Sequence, residues 1–203
     1  MKSACASLLI ILISVLAGAL SPDARAQSPA GTPPPFTMPE QFSVNVTVLA
    51  SGNVVKATMF VSKEKFRSDA ESPVGKQTRI LRQDIKKQYD LYYKENRYTE
   101  APFSKDLSKL MFGLPAIGNW EKTGQEPLNT RNVDKYQFTT AANATEKLHY
   151  WVDPETQCPL KIEAETPTAR GTPQIITMEF SNYKIEPQPD SVFEPPVGSK
   201  AKP

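Results

Sequence analysis

The sequence predicts an α+β domain that is mainly β, with a curved antiparallel sheet of about eleven strands and one amphipathic helix. Three observations carry that prediction. Apolar and polar residues alternate through most segments between residues 41 and 183, which is the period of a strand with one dry and one wet face. Turn residues interrupt these runs at short intervals, so that successive strands read as hairpins. The period changes once, over residues 103–114, to the spacing of a helix with one apolar stripe.

The first segment of the 203-residue chain does not read as part of the fold. Lys2 supplies a positive start, Leu8 to Leu20 is an apolar run, and Ala24-Arg25-Ala26 is a processing site. Together these make residues 1–26 a signal peptide cut after Ala26. An uncleaved anchor is the alternative; the run is short for a span, and its flank is a cleavage motif. Cys5 precedes the apolar run, whereas a lipoprotein signal needs a cysteine directly after the cut. Residues 27–40 (QSPAGTPPPFTMPE) are a proline-rich leader, flexible or polyproline-like. The domain is expected over 41–198, and 199–203 reads as a frayed tail.

Phe42 to Val48 alternates strictly, and Ser51-Gly52-Asn53 makes the turn into Val55, Ala57, Met59 and Val61. Phe66 to Asp69 is a short strand after a Lys-Glu-Lys turn. Gln77 to Arg82 and Gln88 to Lys94 form a hairpin around Asp84, with Tyr89, Tyr92, Tyr93 and Tyr98 crowded nearby. Phe103, Leu107, Leu110, Met111 and Leu114 form the helical stripe, begun by Pro102 and Ser104 and stopped by Gly113 and Pro115. Strands resume at Trp120 to Glu126, Val133 to Thr139 and Lys147 to Val152. Asp153-Pro154-Glu155-Thr156 is a tight turn, because proline presets φ and aspartate can bond the backbone ahead of it. Leu160 to Glu165 then alternates, and Ile175 to Tyr183 is the longest late strand. The prolines around Asp190 to Pro196 end any further pairing.

Catalytic and metal chemistry find little support. After residue 26 the chain has one histidine, His149, and one cysteine, Cys158. In the hairpin His149 should face Ile162 or Glu163, and at about 3.3 Å per residue it lies roughly 15 Å from Cys158, too far for a thiolate–imidazole pair. No nucleophile elbow, zinc-binding histidine pair or phosphate-cradling glycine loop occurs. Asp153, Glu155 and Asp190 have no clustered histidine or cysteine to make a metal site with them. The reading is therefore not an enzyme, with no cofactor. Cys158 reads as a small packing residue that cannot form an internal disulfide. The net charge of +2 gives no reason to expect nucleic acid. Two glycosylation triplets, at Asn45 and Asn143, would matter only in a eukaryotic secretory pathway.

A curved sheet with Val, Met, Phe and Trp on its concave face must be covered. Either the helix and sheet make a filled core, or the sheet curls into an incomplete barrel with an apolar cavity under the helix.

Three stretches, Val61 to Asp69 (VSKEKFRSD), Trp151 to Ile162 (WVDPETQCPLKI) and Gln188 to Gly198 (QPDSVFEPPVG), carry a resemblance across most of residues 42–198. The chain resembles the outer-membrane lipoprotein carrier superfamily (LolA/LolB-like), in particular its secreted branch of uncharacterised function. The resemblance implies a half-open, unclosed β-barrel of about eleven strands with a lid helix. It also implies a cavity that shelters acyl chains in the periplasm. The carriers place an arginine shortly before the phenylalanine of a V-K-R-P-N-x-F stretch. Here Val61-Ser62-Lys63-Glu64-Lys65-Phe66 is one residue shorter and has Lys63 as the nearest basic residue.

The resulting expectation is a periplasmic, non-catalytic protein that binds or carries a hydrophobic or lipidated ligand. Its expected partners are a lipid or lipidated protein, with envelope membrane proteins as further candidates. Val46, Val48, Met59, Val61, Phe66, Trp151, Ile162 and Phe180 are expected to line the cavity from the sheet, and Leu107, Leu110 and Met111 from the lid. The alternative is an envelope interaction or stress-sensing module with a filled core.

Overall fold

The structure is a computed structural model, and it describes residues 32–72, 75–103, 118–139, 147–166 and 174–201. The antiparallel strands are β1 (Gln41–Ala50), β2 (Asn53–Ser62), β3 (Lys65–Ser72), β4 (Gly75–Arg82), β5 (Lys87–Tyr92), β6 (Arg97–Pro102), β7 (Asn119–Leu128), β8 (Arg131–Thr139), β9 (Lys147–Val152), β10 (Pro159–Thr166) and β11 (Gln174–Lys184). All belong to one sheet in the order β6-β5-β4-β3-β2-β1-β11-β10-β9-β8-β7. The short β12 (Lys200–Ala201) adds in parallel to Arg97–Tyr98 of β6, so part of the segment expected to fray is paired. β12 and β7 lie at opposite ends of the sheet, and the half-barrel is unclosed, as the sequence predicts.

The topology is two meanders joined at one seam. β1 to β6 run outward in sequence order, β7 to β11 run back, and β11 pairs with β1. The connection from β6 to β7 therefore joins the two flanks of the sheet. The predicted helix falls in that connection and, apart from Phe103, lies outside the described residues, as does the predicted signal peptide.

Local chemistry sets the turns. Ser51 and Gly52 both have positive φ (49° and 77°), the conformation that a two-residue hairpin needs to match strand twist. Lys63 has φ 52° in the two-residue turn between Ser62 and Lys65, and its N–H also donates to the Glu40 carbonyl at 2.9 Å. In the β9–β10 turn, the Asp153 carboxylate accepts the Glu155 N–H at 3.0 Å, as the sequence predicts. Burial would raise the pKa of Asp153, but the Glu155 N–H and Arg131 outweigh it and hold the group below the usual carboxylate range.

Alternation builds the faces. In β1, Phe42, Val44, Val46, Val48 and Ala50 are buried, and the residues between them are not. Their side defines the inner face. The outer face has its own smaller core of Ile80, Tyr89, Leu91 and Phe193, flanked by Phe60, Tyr98 and Val192. The 3-10 turn Asp190–Phe193 covers it. Lys65 Nζ pairs with Asp190 at 2.7 Å, Arg67 Nη1 donates to the Val192 carbonyl at 2.9 Å, and Arg82 bridges Asp84 and Glu194.

Candidate functional site

The inner face is an uninterrupted apolar surface. Register places Tyr136, Tyr150, Ile162, Met178, Val48 and Val55 in one row across six strands. Phe138, Leu148, Ala164, Ile176 and Ala50 form the next row. At about 4.8 Å between strands, the longer row spans roughly 24 Å. That exceeds the hydrocarbon depth of one leaflet, about 15 Å when a bilayer core is taken as ~30 Å.

Most of the expected lining residues meet here. Val46, Val48, Val61 and Phe66 are buried in one cluster, with Met59 half-buried against it. Ile162 is buried in the adjoining aromatic cluster, and Phe180 and Met178 touch both. Phe103 also packs on the first cluster. Leu107, Leu110 and Met111 lie outside the described residues.

Trp151 is not among them. Leu148 and Tyr150 of β9 face inward with Val152, and the parity of the strand turns Trp151 outward. There its ring lies between Lys161 Nζ at 4.4 Å and Lys135 Nζ at 4.7 Å. Its Nε1 donates to Glu126, whose carboxylate is held below its usual range first by that bond. The ring is covered by lysine stems and cation–π contacts, away from the inner face.

Several aromatic residues of the inner face are missing from the sequence-based set. Trp120 packs on Phe138 and Tyr150, with ring centroids 4.8 Å and 4.9 Å apart. Phe36, from the leader, meets Trp120 edge-on at 5.5 Å and lies 5.7 Å from Tyr136 and 6.1 Å from Tyr150. Parity with Leu148 would have found Tyr136, Phe138 and Tyr150, whereas no periodicity marks Phe36. Burial drives the Tyr150 hydroxyl far above its ordinary value, so it stays neutral. Gln88 Oε1 and Trp120 Nε1 are buried with no hydrogen-bond partner among the described residues.

Charges gather at the margins of this surface. Asp134 accepts from Lys122 Nζ at 2.7 Å, Gln125 Nε2 at 2.6 Å and Tyr136 OH at 3.2 Å. Lys122 and then Gln125 hold its carboxyl below the usual range. Towards the other flank, Arg79 pairs with Asp90 at 2.7 Å. On the opposite face, beside Trp151, His149 pairs in register with Glu163, and its Nε2 lies 3.9 Å from Glu165. Cys158 is fully buried, its thiol directed at the Thr156 carbonyl, and burial pushes its pKa up. Among the described residues no three of His, Cys, Asp and Glu cluster as metal ligands. The inner face is thus built to exclude water.

No protein-family model matches the sequence, and no curated protein does. Solved structures do match. A conserved protein of Thermus thermophilus is 11% identical and aligns over 80% of this chain and 89% of its own, with a TM-score of 0.58. A LolA superfamily protein of Nitrosomonas europaea is 13% identical over 78% of this chain and 92% of its own, with a TM-score of 0.39. The lipoprotein LppX of Mycobacterium tuberculosis is 13% identical over 72% and 88%, with a TM-score of 0.46. At these identities the likeness to the Thermus protein is one of fold.

Proposed function

We propose that this protein is an exported, periplasmic, non-catalytic binder or carrier of a hydrophobic or lipidated ligand, which lies along the inner face of the half-barrel. The observation that carries the reading is the contiguous apolar inner face of an unclosed sheet, running from Leu81 on β4 to Phe138 on β8. In this reading Val46, Val48, Met59, Val61, Phe66, Ile162 and Phe180 line the site, and the β6–β7 connection brings Leu107, Leu110 and Met111 over it as the lid. The driving force is burial. At about 0.8 kcal/mol per methylene, ten buried methylenes contribute about 8 kcal/mol towards offsetting the cost of association, without polar chemistry. The buried N–H of Trp120 suits a ligand that carries a carbonyl acceptor near its apolar body.

A second reading is an interaction module with a filled core. It is favoured by Phe36, which already occupies part of the inner face.

Native mass spectrometry of the protein purified from a Gram-negative periplasm, followed by solvent extraction, separates the two. A stoichiometric lipid or lipopeptide adduct supports the carrier. A bare mass that persists after incubation with fatty acids and lipopeptides favours the filled core. Phe180→Asp, which puts a charge where both inner clusters meet, is expected to lower adduct occupancy at least tenfold with an unchanged β circular-dichroism spectrum.

A further inference from the structure

We propose that residues 32–40 are an intramolecular strap that occupies the aromatic end of the inner face and that an entering ligand displaces; this rests on the inner-face reading above. The segment runs from Gln41, at the start of central β1, to Thr32, whose hydroxyl meets the Gly118 carbonyl next to β7 at 3.4 Å. β1 and β7 are five strand spacings apart, roughly 24 Å at about 4.8 Å each. Nine residues of extended chain reach at most about 30 Å. The segment is therefore long enough to cross the half-barrel, bending at Pro35 and Phe36 on the way.

Its chemistry suits a removable cover. Pro33, Pro34, Pro35 and Pro39 have no N–H, so the segment cannot join the sheet as a strand. Hydrogen bonds tie it at its two ends, at Thr32 and at Glu40. Between them it is held by side chains. Phe36 is 5% exposed while Pro35 and Thr37 on either side are exposed, and Met38 packs on both inner clusters. A polyproline-like segment is already stiff in solution, so seating it costs little order and releasing it regains little. One aromatic ring thus occupies the place where the apolar end of a ligand would lie against Trp120, Tyr136 and Tyr150. A site covered by its own chain binds with an apparent affinity reduced by the fraction of time that it is open.

The test titrates bromostearic acid into the mature protein with Trp151→Phe, reading quenching of Trp120. Phe36→Ala is expected to tighten the apparent affinity about tenfold, while Thr37→Ala, at an exposed neighbour, leaves it unchanged. If Phe36→Ala, still folded by circular dichroism, binds the probe equally or more weakly, the strap is a fixed wall of the site and the proposal falls alone. If neither the parent nor Phe36→Ala quenches, the inner-face reading falls and takes the strap with it.

Discussion

Tyr150 and Trp151 are neighbours in the chain and lie on opposite faces of the sheet, one sealed within the inner aromatic cluster and the other stacked between two lysines. The chain's other tryptophan, Trp120, is on the inner side, so each face carries one indole. An acyl-chain quencher should therefore dim Trp120 alone. Trp151→Phe is expected to keep ligand-dependent quenching in a steady-state titration, and Trp120→Phe to lose it. Asp134 gives a second residue-level expectation. Its folded pKa lies below the unfolded value of about 3.9. Its contribution to stability is thus fully present above that value and is lost as pH falls through the lower folded one. Asp134→Asn should lower stability at neutral pH and flatten the acid limb of a urea-midpoint-against-pH curve below about pH 4. At this scale much was legible: the inner-face residues on β1, β2, β3, β10 and β11 follow from alternation. Trp151 departs from expectation because it alternates with the inward-facing Leu148, Tyr150 and Val152, and that position outweighs the apolar character of its ring. Phe36 escapes sequence reasoning because a proline-rich leader has no period to read.

The 3-10 turn Asp190–Phe193 behaves as a clasp on the outer face. Phe193 fills the small core against Ile80, Tyr89 and Leu91, while Lys65, Arg67 and Arg82 hold the residues around it. Arg82 is held charged first by Asp84, with Glu194 adding to it. Phe193→Ala should destabilise the protein by about 3–5 kcal/mol in urea unfolding, yet leave probe affinity within twofold, because it empties the face opposite the proposed site. The strands and turns of this molecule were legible in sequence nearly throughout, since period two and positive-φ turn residues are local signals. The clasp was legible only as a stretch resembling other proteins. Alternation reports that a strand has a dry side and does not report what covers it.

At the scale of the whole molecule, the order of strands was the least legible feature, because hairpin signals say which strands follow one another and not where two meanders meet. They meet at β1 and β11, from Val46 against Phe180 to Ala50 against Ile176. That seam has a consequence in time. β1 is among the first strands to emerge during synthesis, and its partner β11 is among the last. The two meanders can each form as they appear, but for most of that interval the edge of β1 presents free backbone donors and acceptors beside Val44, Val46 and Val48. Such an edge is a template for pairing with another chain. The nascent protein is therefore most vulnerable to aggregation just before its last long strand arrives, and a holding chaperone would be needed in that window rather than at the mature fold.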